Sequence, residues 1–178
     1  MEFKTDKVYW GYVPTYERMA AEIGPAGRVC ELGVLHGDSL DMWLTFFPKG
    51  IVVGVDQEEQ SRWPVGTYKI VSLQDDERLV PALKEYAEAY DLIVDDCSHQ
   101  GHLTKASFDL LWPLVAPGGW YVIEDWMVGL PSWGKEDSYN LPTLHMAQEF
   151  LLLLDQDANS GVEDITYRWG QIILRKQR

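Results

Sequence analysis

Short β-branched apolar runs alternate with amphipathic helical patterns along most of this chain, and that alternation points to a parallel sheet covered by helices. Ile51–Val55 is an unbroken apolar run, as expected of a strand buried on both faces. Arg28–Leu32 precedes it as a first strand and Tyr68–Val71 follows as a third. Leu92–Val94 opens a fourth, which ends in Asp95-Asp96, and Trp120–Ile123 is a fifth, which ends in Glu124-Asp125. Helices are predicted over Pro14–Ile23, ended by Gly24-Pro25; over Ser39–Phe47, with Leu40, Trp43, Leu44 and Phe47 on one face; over about Asp76–Tyr90, interrupted at Pro81; over about Leu103–Val115; and over Leu141–Asp155. Pro48–Gly50 and Pro117-Gly118-Gly119 are turns. Two closing strands, Ile165–Trp169 and Gln171–Leu174, are joined tightly at Gly170. Five β-α units followed by a hairpin predict an α/β fold: a doubly wound, mostly parallel seven-stranded sheet with a C-terminal antiparallel hairpin. Residues 1–178 are expected to form one domain, with 1–26 as an N-terminal helical cap and 125–140 as a loop on the ligand edge.

Composition narrows the partners. A formal net charge of −13 repels a polyphosphate backbone, so nucleic acid is not expected to bind. The longest apolar run in a helical pattern, Phe150–Leu154, is too short to span a bilayer, and the charged Met1–Lys7 segment is not followed by the apolar stretch of a signal peptide. Cys30 and Cys97 lie in apolar strand ends and suit buried thiols in a reducing cytoplasm, which is the expected location.

Ligands of open α/β sheets bind beyond the carboxyl ends of the strands. The first strand runs into Glu31, Gly33, Gly37 and Ser39, and the glycines let the backbone turn tightly beside a ligand. The second ends at Asp56, whose carboxylate can accept both hydroxyl protons of a ribose. The first turn lacks the glycine spacing that cradles a pyrophosphate, which disfavours a dinucleotide. A cleft lined with carboxylates suits a positively charged sulfonium cofactor better.

The ends of the fourth and fifth strands can be neighbours on one sheet edge. Asp96, Glu124 and Asp125 would then converge, and three carboxylates stay ionised together only beside a counter-charge. Hard oxygen ligands with open positions suit Mg²⁺, with Mn²⁺ as a substitute. His99 lies three residues beyond Asp96 and has an unperturbed pKa suited to a general base at neutral pH. A zinc pair of His99 with His102 is an alternative, although His102 is expected at the start of the next helix.

At these residues the chain resembles a known family. Asp91–His99, Ser107-Phe108, Leu114 and Pro117–Asp125 are similar to the metal-dependent macrolide-sugar O-methyltransferases, the mycinamicin and demethylmacrocin type of class I S-adenosylmethionine-dependent enzyme. Ser39–Trp43, Phe47-Pro48, Gly54–Asp56, Thr5–Lys7 and Tyr16–Arg18 continue the likeness, which covers most of residues 5–125. The resemblance implies a Rossmann-like methyltransferase fold and Mg²⁺ at Asp96, Glu124 and Asp125, with His99 as base. It also implies S-adenosylmethionine held by Glu31, Gly33, Ser39 and Asp56, a set completed by Gly37, Gln74 and Asp95. Where that family has Gly-Asp-Gln after the third strand, this chain has Ser72-Leu73-Gln74.

The segment Trp126–Asn140 carries Trp126, Trp133, Lys135, Asp137 and Tyr139, aromatic and polar groups suited to a sugar or another flat polyol. Tyr9, Trp10, Tyr12 and Tyr16 are candidates to close the pocket from the N-terminal side. The expected activity is Mg²⁺-dependent methylation of a hydroxyl on a small molecule with vicinal hydroxyls. The alternatives are a catechol-type or phenol methyltransferase and a non-catalytic S-adenosylmethionine-binding protein. A homo-oligomer is compatible with each.

Overall fold

The structure, a computed structural model, describes residues 3–59, 63–130, 137–155 and 160–178, with backbone alone at 137–141 and 155. Strands β1 (Arg28–Leu32), β2 (Ile51–Asp56), β3 (Tyr68–Val71), β4 (Tyr90–Asp95), β5 (Val115–Glu124), β6 (Val162–Tyr167) and β7 (Gln171–Lys176) form one sheet in the order β3-β2-β1-β4-β5-β7-β6. The first five are parallel, and β7 runs antiparallel between β5 and β6. This is the doubly wound layout with a terminal hairpin that the sequence predicts.

Side-chain alternation along the strands builds two cores. Val29, Leu92, Val94 and Val122 face α1 (Val13–Ile23) and α2 (Asp38–Phe46), where Tyr16, Met19, Leu40 and Trp43 are buried. Cys30, Ile93, Tyr121 and Ile123 face the opposite way, onto Leu79 and Leu83 of α3 (Leu79–Lys84), Phe108 of α4 (Gly101–Leu111) and Phe150 of α5 (Asp137–Asp155). Three-residue 3-10 turns at Asp6–Val8 and Trp112–Leu114, and a four-residue one at Trp126–Gly129, complete the described elements.

Of the boundaries that differ from expectation, three bear on the chain's turns. The predicted Asp76–Tyr90 helix shrinks to α3: Pro81 falls in its first turn, where a missing N–H costs nothing, and Tyr90 already belongs to β4. Strand β5 begins at Val115 and takes in the expected Pro117–Gly119 turn. Helix α5 starts at Asp137 and carries Pro142 inside it, so the expected 125–140 loop is helical at both ends, as a 3-10 turn and then as α5. The helix packs closely at this point: a Cβ on Gly101 would lie 2.4 Å from the Thr143 nitrogen, and one on Gly129 even nearer the Thr143 hydroxyl.

The strand order reverses between β1 and β4, and the cavity of about 840 Å³ opens there, at the carboxyl ends of β1, β2 and β4. Among the described residues no helix is long and apolar enough to cross a membrane.

Candidate active site

Gly33 shapes the floor of the cavity. Its φ is +87°, its N–H donates to the Val55 carbonyl at 2.8 Å, and a Cβ there would stand 2.1 Å from the Asp96 carbonyl oxygen. Only glycine lets β1 turn this close to β4. Beyond it Val34, Leu35, His36, Asp38 and Ser39 line the cavity, and α2 begins after Gly37 with no side-chain cap on its amides. Asp56, at the end of β2, accepts the Val34 and Leu35 N–H groups at 2.9 and 3.2 Å through Oδ2 and the Glu58 N–H at 3.1 Å through Oδ1. Gln74 lines the same cavity and donates to Ser107 Oγ at 3.3 Å.

Two expected cofactor contacts, Glu31 and Asp95, are buried and do not themselves line the cavity. Glu31 Oε2 accepts from Ser39 Oγ at 2.6 Å and Trp43 Nε1 at 3.1 Å, so it braces α2 against the turn. Asp95 points to the α4 side, where Ser107 Oγ and Tyr121 Oη donate to it; burial pushes its carboxyl up to about 6, partly offset by Ser107.

At the other end of the cavity the structure brings together Asp96, His99 and Asp125, each offering one ligand atom within 4.8 Å of the others. Among the described residues, His99 and Asp125 are two of three non-glycine residues with positive φ, at +55° and +52°; the third is Leu35, in the turn after Gly33. Strain of this kind persists where surrounding contacts overrule it. Asp125 is held by its N–H to the Gly170 carbonyl at 2.6 Å and by Tyr12 Oη, which donates to Oδ1 at 2.5 Å.

Glu124 is not in this group. Strand parity nevertheless keeps it near: the register Glu31↔Val94 and Asp95↔Ile123 sets Glu31, Asp96 and Glu124 on the α1/α2 face, one strand apart. Asp125 is turned by its left-handed backbone toward Asp96, whereas Glu124 keeps the strand direction. Glu124 Oε1 accepts from Tyr16 Oη, and Oε2 lies 2.7 Å from Lys7 Nζ. That ammonium is also 2.6 Å from Asp96 Oδ2 and 3.2 Å from Glu31 Oε1. Burial alone would lower its pKa, but Asp96, Glu124 and Glu31 together push it well above the ordinary lysine value.

Lys7 had no predicted role. The signal for it was present: three acids on one face of three adjacent strands demand a cation, and Lys7 sits in the Thr5–Lys7 stretch already picked out by resemblance. Tyr12 and Tyr16 reach the site as hydrogen-bond donors to acids, whereas Tyr9 is exposed and packs edge-on against Trp10. His102 is exposed on the first turn of α4. Trp126 donates to the Arg168 carbonyl at 2.9 Å and packs edge-on against Tyr167, which fixes it to the hairpin. Trp133 and Lys135 lie outside the described residues, as do the side chains of Asp137 and Tyr139. Cys30 is a buried free thiol and Cys97 a partly buried one.

This strand order, terminal hairpin and cavity define a Rossmann-like class I S-adenosylmethionine-dependent methyltransferase fold. Within that class the chain is related to the macrolide-sugar O-methyltransferases. It is 34% identical over 145 residues to demethylmacrocin O-methyltransferase of Streptomyces fradiae, covering 75% of this chain and 36% of that protein. It is 35% identical over 141 residues to mycinamicin VI 2''-O-methyltransferase of Micromonospora griseorubida, covering 72% and 35%. The chain thus spans little more than a third of the length of these relatives. The MycE methyltransferase of the mycinamycin biosynthetic pathway, solved in complex with Mg, SAH and mycinamycin VI, superposes with a TM-score of 0.78 at 26% identity, covering 94% of this chain and 50% of that one. No family model matches the chain.

Proposed function

We propose that this chain transfers the methyl group of S-adenosylmethionine to a hydroxyl of a sugar or similar vicinal diol, with a Mg²⁺ requirement and His99 as general base. The observation that carries the reading is the convergence of Asp96, His99 and Asp125 at one end of a cavity whose other end is bounded by Gly33 and Asp56.

The donor set fits the groups. Two carboxylates from consecutive strand ends, on a site open to the cavity, suit a hard divalent ion that keeps positions for substrate oxygens. Bound there, S-adenosylmethionine supplies the electrophilic methyl group and Mg²⁺ the positive charge that lowers a hydroxyl's pKa. The residues do the rest. Asp56 accepts the ribose hydroxyls, and the close Gly33–Leu35 turn leaves room for the cofactor. The uncapped α2 amides suit its carboxylate. Asp96 and Asp125 fix the ion and thereby the diol. The His99 imidazole takes the proton of the attacking hydroxyl, so that the oxygen–methyl bond forms as the sulfur–methyl bond breaks and the thioether departs uncharged. Holding oxygen, methyl carbon and sulfur in line supplies much of the rate.

The test is calorimetry with S-adenosylmethionine and with NAD, each with Mg²⁺ and with EDTA, followed by methyl transfer to a panel of sugar diols and catechols. The expected result is binding of S-adenosylmethionine, no binding of NAD, and transfer to sugar diols that EDTA abolishes. Binding of NAD alone would end the methyltransferase reading. Transfer that EDTA leaves unchanged would remove the metal from it, and a preference for catechols would move the substrate class.

A further inference from the structure

Gln74 follows β3 and lines the cavity, yet it is buried, and its amide bonds to a polar cluster beneath α4. That cluster joins Ser107 of α4, Asp95 at the end of β4 and Tyr121 of β5, all three buried. Asp95 accepts on both oxygens: Oδ2 takes the Ser107 hydroxyl and the Tyr121 hydroxyl, the latter at 3.3 Å, and Oδ1 takes the Cys97 N–H at 3.4 Å. Ser107 has one hydroxyl proton to give. Both groups placed to take it, Asp95 and the Thr104 carbonyl at 3.0 Å, are acceptors, so none is left for Gln74. Ser107 Oγ therefore accepts, and the end of Gln74 that meets it, at 3.3 Å, is the amide nitrogen. The two ends of an amide have nearly the same shape and opposite hydrogen-bonding character, so an untethered one turns over to suit either kind of ligand. Here the cluster permits one orientation, with nitrogen held at Ser107 and oxygen left as the acceptor for a ligand.

We propose that Asp95 and Ser107 are positioning residues that lock the Gln74 amide in the orientation that accepts adenine and rejects a base with the opposite edge, such as hypoxanthine. The inference rests on the reading that S-adenosylmethionine fills the cavity with its ribose on Asp56. The base then lies past Asp56, along the wall that Leu73, Gln74, Ser98 and Leu103 line. Leu73 offers it no side-chain acceptor. Adenine presents an N6 amine beside an unprotonated N1, whereas hypoxanthine presents an O6 carbonyl beside a protonated N1. An amide with its oxygen fixed accepts from the N6 amine, and its second N–H suits the adjacent ring nitrogen. Toward hypoxanthine the same amide sets oxygen against oxygen. Asp95 thus serves the cofactor at one remove, through Ser107 and Gln74, without lining the cavity itself.

The experiment is calorimetry of the full chain at neutral pH with S-adenosylhomocysteine and with S-inosylhomocysteine, for wild type, Ser107→Ala and Gln74→Met. Wild type is expected to bind the adenine ligand about tenfold tighter or better. Ser107→Ala frees the amide to turn over. It should keep its affinity for S-adenosylhomocysteine within about fivefold, gain affinity for S-inosylhomocysteine and bring the ratio of the two near unity. Gln74→Met should also bring the ratio near unity, but by weakening the adenine ligand. A merely structural role for Ser107 would weaken both ligands alike and leave the ratio unchanged, and that outcome overturns the proposal. A wild-type ratio retained by Gln74→Met overturns it too, and moves the choice of base to another group on that wall, such as the exposed Asp75. Should Ser107→Ala fail to fold, the wild-type chain decides by nuclear magnetic resonance: Overhauser contacts between the Gln74 amide protons and the Ser107 β-protons support the locked orientation, and their absence overturns it. No binding of S-adenosylhomocysteine by wild type ends the cofactor reading and this proposal with it, whereas equal binding of the two ligands by wild type sinks this proposal alone.

Discussion

His99 bears two demands at once, since it must present an imidazole beside Asp96 and Asp125 and must adopt a φ of +55° to do so. For a residue with a Cβ that conformation costs about 1–2 kcal/mol. Two substitutions separate the demands. His99→Ala should lower turnover by roughly 10²-fold, as expected on losing a general base, and near-wild-type activity would remove His99 from the mechanism. His99→Gly should be as inactive but about 1 kcal/mol more stable than His99→Ala in urea denaturation, because glycine carries no penalty at positive φ. Equal stability of the two would show that the turn is not strained. The acids at the strand ends were legible as residues, since Asp95-Asp96 and Glu124-Asp125 close neighbouring strands. Which member of each pair faces the cavity follows from register and from the left-handed turn at Asp125, and the residue types at 124 and 125 do not announce that turn.

Elements are held at both ends of the sheet, and the two ends have different tasks. At the end away from the cavity Arg28 and Asp91 join the starts of β1 and β4 through the Arg28 N–H and Nε on Asp91 Oδ2, each at 2.9 Å, and Nη2 on Oδ1 at 2.8 Å. Burial alone would raise the Asp91 carboxyl, but the Arg28 donors outweigh it and hold it below the ordinary carboxylate value. The clamp therefore contributes fully above about pH 4, and its contribution is lost as pH falls through the lowered value. Asp91→Asn should cost about 1 kcal/mol at pH 7, discounted for partial exposure of the pair, and the gap from wild type should narrow in acid unfolding below about pH 4. A gap that widens in acid would contradict the assignment. At the cavity end, Gly33→Ala meets both a positive φ and the Asp96 carbonyl; it should destabilise by about 2 kcal/mol or more and weaken S-adenosylmethionine binding in calorimetry. Strand positions were legible because buried parallel strands are apolar throughout. Helix ends were less so: Pro81 and Pro142 look like breakers, yet one falls in a first turn and the other inside α5, packed close against Gly101.

At the scale of the whole molecule, the cavity is closed by parts far apart in the chain. Thr5, Asp6 and Lys7 line it from the N-terminal segment, Gly33 and Asp56 from β1 and β2, and Asp96, His99 and Asp125 from the ends of β4 and β5. The order of strands predicts that the last two sets meet at the switch point, and they do. Nothing in local pattern places residues 5–7 over them, because a three-residue turn has no periodicity to read. Such a site couples ligand binding to the integrity of the whole fold. A ligand at about a hundred times its Kd stabilises by about 2.7 kcal/mol, which in a chain of this size raises Tm by roughly 5–10 °C. S-adenosylmethionine should therefore raise Tm by that amount in wild type and by much less in Asp56→Ala, where the proposed ribose acceptor is missing. Mg²⁺ without cofactor should raise Tm in wild type, and Asp96→Asn/Asp125→Asn should abolish that rise while keeping the response to S-adenosylmethionine. The two shifts separate the ends of the cavity. If the doubly substituted chain still responds to Mg²⁺, the ion binds elsewhere, and if Asp56→Ala responds fully to S-adenosylmethionine, the ribose does not lie on β2.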